Sequence, residues 1–85
     1  MDRPLSDFAG SYVSDSYGTI RFFLRDGTLN FSWGAVGGPA DIFDAAKHQL
    51  RVEIAGMGTP VAFTFADLGP ATAINIRGDS FKRMQ

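Results

Sequence analysis

Tyr17-Gly18-Thr19-Ile20-Arg21-Phe22-Phe23-Leu24-Arg25-Asp26-Gly27-Thr28-Leu29-Asn30-Phe31-Ser32-Trp33 decides the fold. Before Asp26, Ile20, Phe22 and Leu24 alternate with Thr19, Arg21, Phe23 and Arg25; after Gly27, Leu29, Phe31 and Trp33 alternate with Asn30 and Ser32. A period of two puts each set on its own face of a β-strand. Asp-Gly readily takes the positive φ angles of a tight hairpin turn. The stretch therefore reads as two antiparallel strands with one apolar face turned inward. Phe23, between Arg21 and Arg25, falls on the outward face and is expected to be exposed.

The same alternation continues on both sides. Upstream, Leu5-Ser6-Asp7-Phe8 fits one helical turn capped by Ser6, which would plug one end of the molecule. A short strand through Ser11, Tyr12 and Val13 follows, closed by the turn Ser14-Asp15-Ser16. Downstream, Gly34-Ala35-Val36-Gly37-Gly38-Pro39 reads as a flexible connection. Residues 40–46 allow two readings. Asp41 could cap a short helix that buries Ile42, Ala45 and Ala46, or Ile42 and Phe43 could lie in a brief edge strand. The strand is preferred because it supplies an even strand number. Leu50, Val52 and Ile54 then alternate with Arg51 and Glu53, Gly56 to Pro60 turns the chain, and Val61, Phe63 and Phe65 face inward. Ile74 and Ile76 precede a turn at Gly78-Asp79, and Ser80 to Met84 closes the sheet.

About eight such segments without a repeat or low-complexity tract predict a single all-β domain over residues 1–85. A meander of short strands hides its sheet edges by closing on itself, so the expected form is a small eight-stranded antiparallel up-and-down barrel. Its inward set would be Phe8, Tyr12, Ile20, Phe22, Leu24, Leu29, Phe31, Trp33, Phe43, Leu50, Val52, Ile54, Val61, Phe63, Phe65, Ile74, Ile76 and Phe81. An eight-stranded barrel has room for little more than its own side chains or one small ligand. So many rings argue for a filled interior.

Composition narrows the function classes. Eight Lys and Arg against nine Asp and Glu give a net charge of -1, without the basic footprint of a nucleic-acid binder. With no cysteine, the chain has no disulfide, thiolate metal site or thiol nucleophile. No apolar run approaches the ~18 residues of a membrane span. Met1-Asp2-Arg3-Pro4 does not begin a secretion signal and resembles the tail of a linker, so the natural form is expected to be one domain of a longer protein.

Individual residues add little chemistry. His48 with Asp41 or Asp44 is too sparse for a metal site or a Ser-His-Asp array, and is read as a residue at a strand start. The glycine-rich run Gly34 to Pro39 lacks the Gly-Lys-Ser/Thr ending of a phosphate loop. Asn30-Phe31-Ser32 fits a glycosylation pattern but sits in a strand. No catalytic residue, cofactor or metal site is assigned. Two candidate sites remain. Arg21, Phe23 and Arg25 form a candidate interface, because Arg and aromatic residues are enriched in binding patches. Tyr12 and Trp33, with Tyr17 nearby, are the alternative: an aromatic platform around a pocket for a small apolar ligand.

Phe8-Ala9-Gly10-Ser11-Tyr12, Tyr17-Gly18-Thr19-Ile20, Asp26-Gly27-Thr28-Leu29, Phe63-Thr64-Phe65 and Phe81-Lys82-Arg83 resemble, in order, the C-terminal lipocalin-like domain of serine hydrolases of the β-lactamase and penicillin-binding-protein type. The pieces are short but span most of the chain. The resemblance implies a barrel that follows a catalytic domain and carries no catalytic residues itself. In that family the nucleophile lies in a Ser-x-x-Lys motif of the catalytic domain, and no serine here has a lysine three positions on. The implied role is a non-catalytic accessory domain acting through contacts with the catalytic domain in cis, or through self-association. A parent of that type would be periplasmic or secreted.

Overall fold

A computed structural model describes residues 4–44, 46–54 and 56–84. A 3-10 turn at Leu5–Asp7 leads into eight strands: β1 Gly10–Ser14, β2 Gly18–Arg25, β3 Thr28–Trp33, β4 Val36–Asp44, β5 Gln49–Ile54, β6 Met57–Thr64, β7 Ala73–Ile76 and β8 Asp79–Arg83. Each pairs antiparallel with the next, and β8 pairs back to β1, closing an all-β up-and-down barrel. Two of the two-residue hairpin turns, Asp26-Gly27 (φ 53° and 78°) and Arg77-Gly78 (φ 52° and 88°), have positive φ at both positions. Positive φ at both central positions matches the right-handed twist of the flanking strands, and glycine reaches it without steric cost. Among the described residues no helix is long and apolar enough to cross a membrane.

The interior is filled by aromatic rings. Phe63 is the hub: Phe8 and Phe22 each stand 5.0 Å from it at 71°, and Tyr12 stands 5.9 Å away at 84°. Edge-to-face contacts of this kind contribute beyond the area they bury. Ile20, Leu29, Phe31, Leu50, Val52, Val61, Ile74, Ile76 and Phe81 complete the packed layer. Phe31 lies opposite Gly38, so a large ring meets a residue without a side chain and the β3–β4 wall stays close.

Several expectations need correction. The run from Val36 to Pro39 is not a loop: it begins β4, paired through Trp33↔Val36, Ser32↔Gly37, Phe31↔Gly38 and Asn30↔Pro39. Residues 40–44 continue that strand, in keeping with the strand preferred over a helix, but both sides of β4 are paired, so it is not an edge. Ala45, part of the helical alternative, and residues 1–3 lie outside the described residues. β6 starts at Met57, ahead of the expected turn's end, with Thr59 buried opposite Val52.

Phe43 and Leu24 leave the core, at 56% and 43% exposure. The register between β4 and β5 slips at Ile42/Asp44, leaving Phe43 as the extra residue of a bulge, and a bulge re-aims its side chain. Leu24 pairs with Leu29 on the inward row but sits one step from the hairpin turn, beyond the packed layer. Trp33, Ile54 and Phe65 are half-buried against the core, while Ala40, Ala71 and Thr59 are buried positions outside the expected inward set.

Candidate functional site

The two ends of the barrel differ. At one end gather the 3-10 turn, the start of β1 and the end of β8. Here Tyr12 O–H donates to the Phe8 carbonyl at 2.9 Å, and Arg83 completes a clasp. Arg83 Nη1 donates to the Tyr12 hydroxyl oxygen at 3.0 Å and to the Ala71 carbonyl at 3.1 Å, and Nη2 donates to the Ala9 carbonyl at 2.8 Å. Its guanidinium carbon lies 5.5 Å from the centre of the Tyr12 ring. Gly10 makes this possible: its φ is 146°, and a Cβ there would fall 2.5 to 2.8 Å from three guanidinium atoms. Burial raises the Tyr12 hydroxyl above its ordinary pKa of 10.0, with the charge and hydrogen bond of Arg83 pulling the other way. Ala71 N–H donates to the Asp7 carbonyl at 2.8 Å, tying the segment between β6 and β7 to the same plug.

The opposite end, where β1–β2, β3–β4, β5–β6 and β7–β8 turn, holds an open cleft of about 250 Å³. Tyr17, Trp33, Ile54, Ile76 and Phe81 line it, with Arg77 and Asp79. Trp33 ends β3 and Phe81 lies in β8, edge-to-face at 5.6 Å and 86°. The indole Nε1–H of Trp33 donates to the Tyr17 carbonyl at 2.8 Å, which fixes the ring against the β1–β2 turn. Tyr17 is tilted over Phe81 at 6.3 Å and 32°. Arg77 Nη2 donates to Thr59 Oγ1 at 3.4 Å.

The candidate platform residues are therefore separated. Trp33 and Tyr17 line the cleft; Tyr12 does not, being fully buried in the ring cluster with its hydroxyl held by Phe8 and Arg83. Arg21, Phe23 and Arg25 share the outer face of β2, opposite Ser32, Asn30 and Thr28 of β3. Phe23 is half-buried instead of exposed, because the Arg21 guanidinium lies 5.0 Å from its ring centre. His48 packs edge-to-face on Phe65 at 4.9 Å, and the Asp44 carboxylate accepts from Lys47 N–H at 3.2 Å. Among the described residues no three His, Cys, Asp or Glu side chains gather as a metal site would require.

Sequence reasoning passed over Arg83 and the rim pair Arg77 and Asp79. The signal for the rim was present in Ile76-Arg77-Gly78-Asp79: an inward residue followed at once by a two-residue turn puts its flanking charges at a barrel mouth. Arg83 had no comparable signal, because a lone arginine in a closing strand looks like an outward one. No protein family, curated protein or solved structure matches the chain.

Proposed function

We propose that this barrel is a non-catalytic contact domain that packs against a serine hydrolase catalytic domain or against another copy of itself. The observation that carries the reading is the filled interior: rings 5.0 to 6.1 Å apart leave the outer wall and the rims for binding. The proposed contact face is Arg21, Phe23 and Arg25 on the outer face of β2, where the Arg21 guanidinium lies against a half-buried ring. The ordered resemblance of its short motifs to the lipocalin-like domain of β-lactamase-type enzymes supports the choice of partner, and the absence of Ser-x-x-Lys supports leaving chemistry to that partner.

Two measurements test this. The reading frame immediately upstream of Met1 is expected to encode a Ser-x-x-Lys hydrolase domain, and Phe23→Ala is expected to weaken its association with the barrel or the barrel's self-association. A barrel with no such neighbour that stays monomeric in sedimentation at any attainable concentration would sink the proposal, as would turnover of ester or amide substrates by the pure chain. A second reading, binding of a small apolar ligand, is favoured by one observation, the aromatic-lined cleft at the open end.

A further inference from the structure

The open cleft is small, mostly apolar in its lining, and carries one charge of each sign at its rim. At about 250 Å³ it lies below the ~300–1,000 Å³ of drug-sized sites, which suits a compound of about ten non-hydrogen atoms. Ile54 and Ile76 make an aliphatic wall, and Trp33 and Tyr17 supply ring surface over Phe81, which is itself nearly covered. The hydrogen bond from Trp33 to the Tyr17 carbonyl holds the indole in place, so the slot is formed before a ligand arrives. At the rim, Arg77 and Asp79 flank Gly78 and cancel in charge. An ion entering here gives up hydration and meets one attractive and one repulsive partner. A neutral ring loses little hydration and gains edge-to-face contacts.

We infer that this cleft binds a small uncharged aromatic compound of about indole size. The inference rests on the ligand-binding reading and adds the ligand class. Trp33 is the sole tryptophan, so its indole N–H gives a single resonance at the site in a nitrogen-15 spectrum. Titrating the whole chain with unlabelled indole is expected to shift that resonance, and the amides of Tyr17, Ile54 and Arg77, to saturation at roughly 10 µM to 1 mM. Indole-3-acetate, tryptamine and cyclohexanol should each bind at least roughly threefold more weakly. Tyr17→Ala, at a half-exposed position, should weaken indole roughly fivefold, whereas Ile42→Ser, on another strand and away from the cleft lining, should leave it unchanged.

Tighter binding of a charged analogue or of cyclohexanol would overturn the ligand class while leaving the ligand-binding reading intact. Absence of saturable shifts with all four compounds would overturn both. Saturable shifts confined to residues outside the cleft would overturn the site.

Discussion

Arg83 and Tyr12 show how much one pair of side chains can hold. The guanidinium reaches three oxygens on three separate segments, Tyr12, Ala9 and Ala71, and so joins the first strand, its entry and the stretch before β7. Arg83→Met keeps much of the stem and removes the donors; unfolding by urea is expected to show a loss of about 2–4 kcal/mol. A loss within ~0.5 kcal/mol would mean that the clasp is ornamental. Gly10→Ala should be costly by a different route, since its Cβ collides with the guanidinium at a φ of 146°. The Tyr12 hydroxyl gives a pH signature. Burial, opposed by Arg83, raises its pKa in the folded state, so the neutral form contributes stability that is complete below the unfolded value of 10.0 and is lost as pH rises through the folded value. Denaturation curves from pH 8 to 11.5 should therefore fall more steeply for the native chain than for Tyr12→Phe; parallel curves would show that Tyr12 does not titrate against folding.

At the scale of the element, β4 separates what periodicity can reveal from what it cannot. The hairpin of β2 and β3 is legible because its alternation is unbroken and Asp26-Gly27 supplies the turn. β4 is not, because Gly37-Gly38-Pro39 has the composition of a loop. Its reason for being a strand lies in its neighbour: Gly38 faces Phe31, and a Cβ on Gly37 would stand 2.9 Å from the Phe31 carbonyl. Such close approach is a tertiary fact with no local period. The bulge at Phe43 is equally hidden, since a single inserted residue reverses which face the following side chains take. The two aromatic positions thus diverge in cost. Phe43→Ser, at 56% exposure, should change stability by less than about 0.5 kcal/mol, while Phe63→Ala at the hub should cost roughly 3–5 kcal/mol. Equal losses at the two sites in denaturant titrations would return Phe43 to the core.

For the whole molecule, closure follows from the count and order of the strands; alternation made most of them legible, while the strand at residues 40–46 rested on the need for an even number. The position of the sites was less legible. Tyr12 and Trp33 are alike in sequence terms, both aromatic and inward, yet the clasp takes one and the open cleft takes the other, a distinction that depends on which end of the barrel each strand presents. The seam of the barrel has a consequence for dynamics. Among the described residues two register pairs, Tyr12↔Arg83 and Val13↔Lys82, join β1 to β8, whereas six join β5 to β6. The seam is reinforced from Met84 N–H to the Ser11 carbonyl at 2.8 Å and by the Arg83 clasp. Stability within a domain is uneven, and segments with few cross-links open first. Hydrogen exchange is therefore expected to find β1 and β8 amides opening at a free energy about 1–2 kcal/mol below that of β5 and β6. Arg83→Met should widen this gap, because the donors it removes act at the seam. If protection is uniform around the barrel, or the variant accelerates exchange equally in every strand, the barrel opens as one unit and the clasp contributes only to global stability.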